Sequence, residues 1–146
     1  LVGSEMCIRD RHNAMITSAI ANGGTLMKPY LLDRVENDGG DVIKKFMPEA
    51  YGNLMTAKES EGLTEFMRAV VTDGTGSALR TDAYTVAGKT GSAEFETGKE
   101  THAWFIGFAP AEHPKVVVSV IVEEGGSGGK AAAPIARGLF DLYFSR

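Results

Sequence analysis

The residues best equipped for chemistry stand in one run, Val86-Ala87-Gly88-Lys89-Thr90-Gly91-Ser92-Ala93-Glu94. Lys89 brings a fixed positive charge, and Thr90 and Ser92 bring hydroxyls. Gly88 and Gly91 carry no side chain, so another chain or a ligand can lie close to the backbone there. Read as a strand, the run sends Lys89 and Gly91 to one face and Thr90 and Ser92 to the other, unless twist or a bulge re-aims them. A free strand edge binds an extended peptide through its open N–H and C=O groups, and one such N–H can hold a developing oxyanion. A cation beside two hydroxyls on a peptide-accepting edge suits a substrate that ends in a carboxylate.

Other residues invite chemical readings and do not sustain them. Gly88-Lys89-Thr90 matches the end of a phosphate-binding loop, but the earlier glycine that motif requires falls at Ala83. Lys-Thr should also open a helix there, whereas Gly91 and a turn at Gly98 follow. Cys7 is the single cysteine, which excludes an internal disulfide and a cysteine-rich zinc site. His12, His102 and His113 show no metal-ligand spacing, so no metal is expected. Glu94, Glu123 and Glu124 read as solvent-facing. Trp104, Phe105 and Phe108 read as core, with Trp104 a possible floor for a groove beside the run. The net charge of −4 comes without a basic stripe, so neither nucleic acid nor an anionic membrane surface is an expected partner. The longest apolar run, Val116–Val122, is too short to span a bilayer.

The elements that must position this run are legible on both sides of it. Met15, Ile16, Ala19 and Ile20 fall at helical spacing within 13–22, and Asn22-Gly23-Gly24 supplies a stop. Pro29–Glu36 and Val42–Phe46 flank Asn37-Asp38-Gly39-Gly40 as a polar hairpin. Thr56 and Glu59 form a capping box ahead of a helix over 56–72. In that helix Leu63, Phe66, Met67, Val70 and Val71 make one apolar face. Asp73-Gly74-Thr75-Gly76 ends it in a tight loop. Strands are expected at 84–95, 103–109 and 115–122, in an antiparallel meander turned by 96–100 and 110–114. After a glycine loop at 125–129, a last helix over 131–144 carries Ile135, Leu139 and Leu142 as its apolar stripe. With 43% apolar residues in 146, the chain can build a core, and the element order predicts an α+β layer with a helix across an antiparallel sheet.

The run around Lys89, the Gly74-Thr75-Gly76 loop before it and the His102–Pro110 strand after it resemble the C-terminal part of penicillin-binding protein transpeptidases. The Asn13–Tyr30 segment fits the same family, so the likeness covers residues 12–146. Residues 1–11 read differently and resemble sequencing-adapter read-through, a non-native leader that takes Cys7 out of functional consideration. The resemblance implies a partial serine β-lactamase/transpeptidase-like fold. The family uses three motifs, Ser-x-x-Lys, Ser-x-Asn and Lys-Thr-Gly. Lys89, Thr90 and Gly91 match the third. By resemblance Lys89 anchors and polarises the site, the Ser92 hydroxyl meets the substrate carboxylate, and the Ser92 N–H supplies half of an oxyanion hole.

The nucleophilic serine, its lysine and the Ser-x-Asn motif are expected upstream, outside this chain. Ser127-Gly128-Gly129-Lys130 matches Ser-x-x-Lys in letters only, because a nucleophile needs a rigid helix start and this serine lies in a glycine loop. Tyr51-Gly52-Asn53 imitates a variant of the second motif in a turn-like setting. The implied activity is D,D-transpeptidation. An upstream serine is acylated by the D-Ala-D-Ala end of a peptidoglycan stem peptide, and an amine of a neighbouring stem resolves the acyl-enzyme. β-Lactams would imitate the donor, and no cofactor is implied. The parent would be membrane-anchored outside this chain, with this domain extracytoplasmic. A β-lactam-sensing receptor, a serine β-lactamase and a D,D-carboxypeptidase share the Lys-Thr-Gly strand and stand as alternatives.

Overall fold

A computed structural model describes residues 2–146, and side-chain surroundings from residue 10 onward. Its centre is a three-stranded antiparallel sheet of β5 (Ala87–Ala93), β6 (His102–Ala109) and β7 (Val116–Val122), in the order β5-β6-β7. Helix α1 (Val2–Ala21) lies on one face, α3 (Ala132–Phe144) lies on the other, and α2 (Ala57–Thr72) packs against β5. Two small sheets make up the stretch between α1 and α2. In one, β1 (Thr25–Met27) pairs with β4 (Ala50–Asn53). In the other, β2 (Arg34–Glu36) pairs with β3 (Val42–Lys45).

Strict alternation along the central strands divides their side chains between two layers. Ala103, Phe105, Val118 and Val120 face α3, where Ala132, Ala133, Ala136 and Phe140 close over them with Leu79 and Val71. Ala87 and Phe108 face the other way and meet Ile20 of α1 and Met67 of α2. The sheet is therefore covered on both faces, where one helix layer was expected. Helix α2 contributes to both layers from beside β5. On the α3 side, Gly88 opposes Gly107 and the Phe105 ring lies over the pair. A Cβ at Gly88 would come within 2.3 Å of that ring, so only glycine lets the aromatic cover the strand this closely.

The three strands and α2 stand where the sequence places them, with β5 trimmed at both ends to 87–93. The capping box forms as expected: Thr56 Oγ1 accepts from Glu59 N–H at 3.3 Å, and Glu59 Oε2 accepts from Thr56 N–H at 2.8 Å. Helix α1 begins at Val2, eleven residues before the expected start at 13, with no break between the two segments. Its end agrees. Gly23 and Gly24 take positive φ, and Gly24 N–H bonds to the Ala19 carbonyl at 2.8 Å, closing a Schellman-type stop.

The apolar stripe expected on α3 has the right period and the wrong face, and the one expected on α2 is buried only in part. On α3 the buried residues are Ala132, Ala133, Ala136 and Phe140, while Ile135, Leu139 and Leu142 are exposed. Small residues let the helix settle close on the Phe105 layer, which branched side chains would hold away. Of the stripe expected on α2, Met67 and Val71 are buried, whereas Phe66 remains 74% exposed. Strands β1 and β4 and the 3-10 turn Ser77–Leu79 lie outside the elements expected from sequence. Tyr51-Gly52-Asn53, read as turn-like, lies within β4.

Candidate active site

Strand β5 is a sheet edge: β6 pairs along one side, and no strand pairs along the other among the described residues. Its register sets Lys89 against Ile106, Thr90 against Phe105, Gly91 against Trp104 and Ser92 against Ala103. Lys89 and Ser92 are exposed, Gly91 is half-buried, and Thr90 is buried at 7% exposure. Strand alternation puts the two hydroxyls on one face, whereas the fold buries the first and exposes the second. Phe105 is Thr90's cross-strand partner and points into the α3 layer, so Thr90 is covered from the same side.

The Lys89 side chain turns along its own strand, and its Nζ donates to the Thr90 carbonyl at 2.6 Å. The ammonium is thereby fixed at the middle of the edge instead of ranging through solvent. Two loops hold the hydroxyls in place. The first is the Gly74–Gly76 loop after α2, where the Thr75 and Thr90 hydroxyls share a short hydrogen bond. The second is the loop between β7 and α3, where Gly128 N–H points at Ser92 Oγ at 3.4 Å. Both loops depend on missing side chains. A Cβ on Gly128 would lie 2.4 Å from the carbonyl oxygens of Gly91 and Trp104, and one on Gly129 would lie 2.5 Å from the Thr75 carbonyl. The glycines at 128 and 129 thus let the second loop rest on the sheet and on the first loop at once.

Trp104 is half-buried on the face opposite Thr90, and with His12, Asn13, Ala93, Glu94, Phe95 and His102 it lines a cleft of about 420 Å³. At its rim His102 stacks on Phe95 with ring centres 4.0 Å apart, and His102 Nδ1 accepts from Glu124 N–H at 3.0 Å. That hydrogen bond ties the β5–β6 turn to the loop that carries Gly128. Glu94, Glu123 and Glu124 are all exposed, as expected.

The motif look-alikes stay apart from this strand. Ser127 and Lys130 are exposed, and the Ser127 carbonyl accepts from Lys130 N–H at 3.0 Å in the turn that starts α3. Tyr51 is exposed, and Asn53 Oδ1 accepts from Thr25 Oγ1 at 3.0 Å, within a sheet separate from β5. Among the described residues no group of three or more His, Cys, Asp or Glu is placed to hold a metal ion. The contribution of Thr75 and Gly128 was missed from sequence. The Gly-Thr-Gly and Gly-Gly signals were visible, but their contact with β5 links residues 15 and 36 positions apart.

Comparison with known proteins matches residues 11–141 to the family model of the penicillin binding protein transpeptidase domain. The chain belongs to that family. Among curated relatives, the peptidoglycan D,D-transpeptidase PbpA of Mycolicibacterium smegmatis is 36% identical over 91% of this chain and 28% of its own length. The peptidoglycan D,D-transpeptidase MrdA of Haemophilus influenzae is 35% identical over 91% of this chain and 23% of its own length. The chain therefore spans about a quarter of these penicillin-binding proteins. Among solved structures, the D,D-transpeptidase domain of a peptidoglycan glycosyltransferase from Eggerthella lenta superposes with a TM-score of 0.84. It is 35% identical over 90% of this chain and 31% of that one. Penicillin-binding protein A of M. tuberculosis, in its penicillin G acyl-enzyme complex, gives a TM-score of 0.81 at 34% identity, over 90% and 31% of the two chains. The mixed helix and antiparallel-sheet architecture is that of these transpeptidase domains.

Proposed function

We propose that this chain is the part of a peptidoglycan D,D-transpeptidase that binds the donor stem peptide, with Lys89, Thr90, Gly91 and Ser92 as its contact strand. The observation that carries the reading is the edge position of β5, which leaves Lys89 and Ser92 exposed in a transpeptidase-family fold. The Thr90 carbonyl carries the Lys89 ammonium and so points off the β5–β6 ladder. In an antiparallel pair the N–H and C=O of one residue point the same way, and alternate residues share that direction. Ser92 N–H therefore faces the free edge with Thr90. It is the donor for an oxyanion, and the Ser92 hydroxyl and the Lys89 charge receive the terminal carboxylate. Trp104 lines a separate cleft on the opposite face of the sheet and is no part of this contact strand.

The reaction is two acyl transfers. A serine outside these residues adds to the carbonyl of the D-Ala-D-Ala peptide bond, and the resulting oxyanion is held by Ser92 N–H. The C–N bond breaks, the departing D-Ala takes up the serine's proton, and an ester remains. An amine of a second stem then attacks the ester. It loses a proton to the serine oxygen and forms the cross-link. A β-lactam enters the first step by ring opening and leaves no departing amine to vacate the site. Lys130 and Ser127 take no part. Among the described residues no helix is long and apolar enough to cross a membrane. An anchor elsewhere in the parent, with this domain outside the cytoplasmic membrane, fits a stem-peptide substrate.

The test is acylation of the full-length protein by a fluorescent penicillin. Lys89→Ala removes a charge-assisted contact worth about 2–4 kcal/mol in such sites, a fall of roughly 30- to 1,000-fold in the second-order rate. Lys130→Ala is expected to label at the wild-type rate. Equal labelling of Lys89→Ala and wild type rejects the assignment.

A further inference from the structure

Thr90 is the motif residue least able to meet a ligand unaided, because its side chain is buried and its hydroxyl is already engaged by Thr75. Thr75 is itself fixed. Its loop is anchored by Gly76 N–H on the Val70 carbonyl at 2.9 Å, and Gly129 rests on its carbonyl where no Cβ would fit. A hydroxyl has one hydrogen to give and two lone pairs to accept with. A carboxylate only accepts. For Thr90 to engage a carboxylate at the β5 edge it must give that hydrogen outward, and the hydrogen in the Thr75–Thr90 bond must then come from Thr75.

The same logic applies two residues on. Gly128 N–H approaches Ser92 Oγ as a donor, which occupies a lone pair and leaves the Ser92 hydrogen for the substrate. With Thr75 as the donor in its bond to Thr90, both hydroxyls flanking Gly91 accept from a loop packed against the strand and keep a hydrogen to give toward its free edge. Donors in series polarise one another and strengthen the outermost bond.

We propose that Thr75 is a positioning residue of the carboxylate subsite: its hydroxyl donates to Thr90 and turns the Thr90 O–H toward the substrate carboxylate, beside Lys89 and Ser92. The proposal rests on the transpeptidase reading and adds to it a residue outside the Lys-Thr-Gly-Ser run. Thr75→Val keeps the shape and removes the donor, and Thr75→Ser keeps the donor.

The experiment measures second-order acylation of the full-length protein, followed by intact mass, with benzylpenicillin and with its methyl ester. The ester carries the same ring without the free carboxylate. Thermal midpoints are recorded on every variant, and Thr75→Ala replaces Thr75→Val should the latter not fold. Loss of one hydrogen bond in a charged subsite predicts a fall of about 10-fold for benzylpenicillin in Thr75→Val. The ester rate should change less than about twofold, and Thr75→Ser should restore the benzylpenicillin rate to within about twofold, because neither comparison removes a bond to a carboxylate. An unchanged benzylpenicillin rate in Thr75→Val overturns the proposal, and so does an equal fall for both compounds. In either case a wild type that acylates and a Lys89→Ala that does not leave the transpeptidase reading standing. A wild type inert to both compounds, or a fully active Lys89→Ala, overturns the reading and the proposal together.

Discussion

The three-stranded body and the arm over 25–53 are built from similar residues and held together by different means. In the body Phe105, Phe108 and Phe140 are fully buried between layers. In the arm Leu31, Leu32, Val35, Val42, Ile43 and Met47 all face solvent. The arm takes its shape from a local device instead. Asn37 Oδ1 accepts from Gly39 N–H at 3.0 Å and Asp41 N–H at 2.8 Å, while Gly40 supplies a positive φ. The body's shape rests on side chains buried between layers, and the arm's on strand pairing and a few turn residues with its apolar side chains left in solvent. A candidate site held to a fraction of an ångström belongs on the first kind of structure, and β5 is there.

The sharpest way to break this contrast is a pair of truncations. Phe105→Ala is expected to destabilise the transpeptidase domain by about 3–5 kcal/mol, and Ile43→Ala by no more than about 0.5 kcal/mol. Urea midpoints at constant slope measure both, and comparable losses would show that the arm is packed against something after all. A glycine pair comes next. Gly128→Ala drives a methyl into two backbone carbonyls and should cost about 1–3 kcal/mol. At Gly52 in the arm a Cβ meets nothing within 4 Å, so Gly52→Ala should be neutral or stabilising by about 0.4–1 kcal/mol.

A smaller effect sits between the two regions, at the start of α2. Thr56→Ala should cost about 1 kcal/mol through the lost cap. The bonds from the Thr56 backbone and side chain hold the Glu59 carboxyl below its ordinary range. A depressed folded pKa stabilises above the unfolded value near 4.5, and that contribution is lost as pH falls through the folded value. The acid limb of the stability profile should therefore flatten in Glu59→Gln. The smallest effect lies at the far end of the body. Burial, and then the Asp141 carboxylate bonded to its hydroxyl, push Tyr84 up to about 12. Its contribution is complete below pH 10 and disappears as pH rises through about 12, so Tyr84→Phe should lose this alkaline dependence.

Much of this could be read in advance where one short stretch of sequence carries the whole cause. The capping box at Thr56 and Glu59, the stop at Gly23-Gly24 and the period-2 strands are of that kind. The side of α3 that would be buried was not. Ile135, Leu139 and Leu142 have the hydrophobicity for it, and only the Phe105 layer they would have to fit against decides for Ala132, Ala133 and Ala136. The candidate site divides in the same way. Lys89, Thr90, Gly91 and Ser92 announce themselves as one run. The burial of Thr90 and the approach of Thr75 and Gly128 arise from loops folded onto the strand from both sides along the chain.

The Phe105 ring lying over Gly88 and Gly107 also bears on how this strand can vary under selection. At Gly88 and Gly107 any side chain collides with that ring or with backbone, and at Gly128 with the rung formed by Gly91 and Trp104. These positions are closed to single-step change regardless of what the protein binds. At Gly91 the added methyl meets only the Trp104 Cβ, at 3.3 Å, and from Ala93 to Glu100 every side chain is exposed. A population pressed to alter what this edge accepts has its accessible mutations at the C-terminal end of β5 and in the turn beyond it. In a saturation library of residues 86–130, surviving diversity should concentrate there and fall to near nothing at Gly88, Gly107, Gly128 and Gly129.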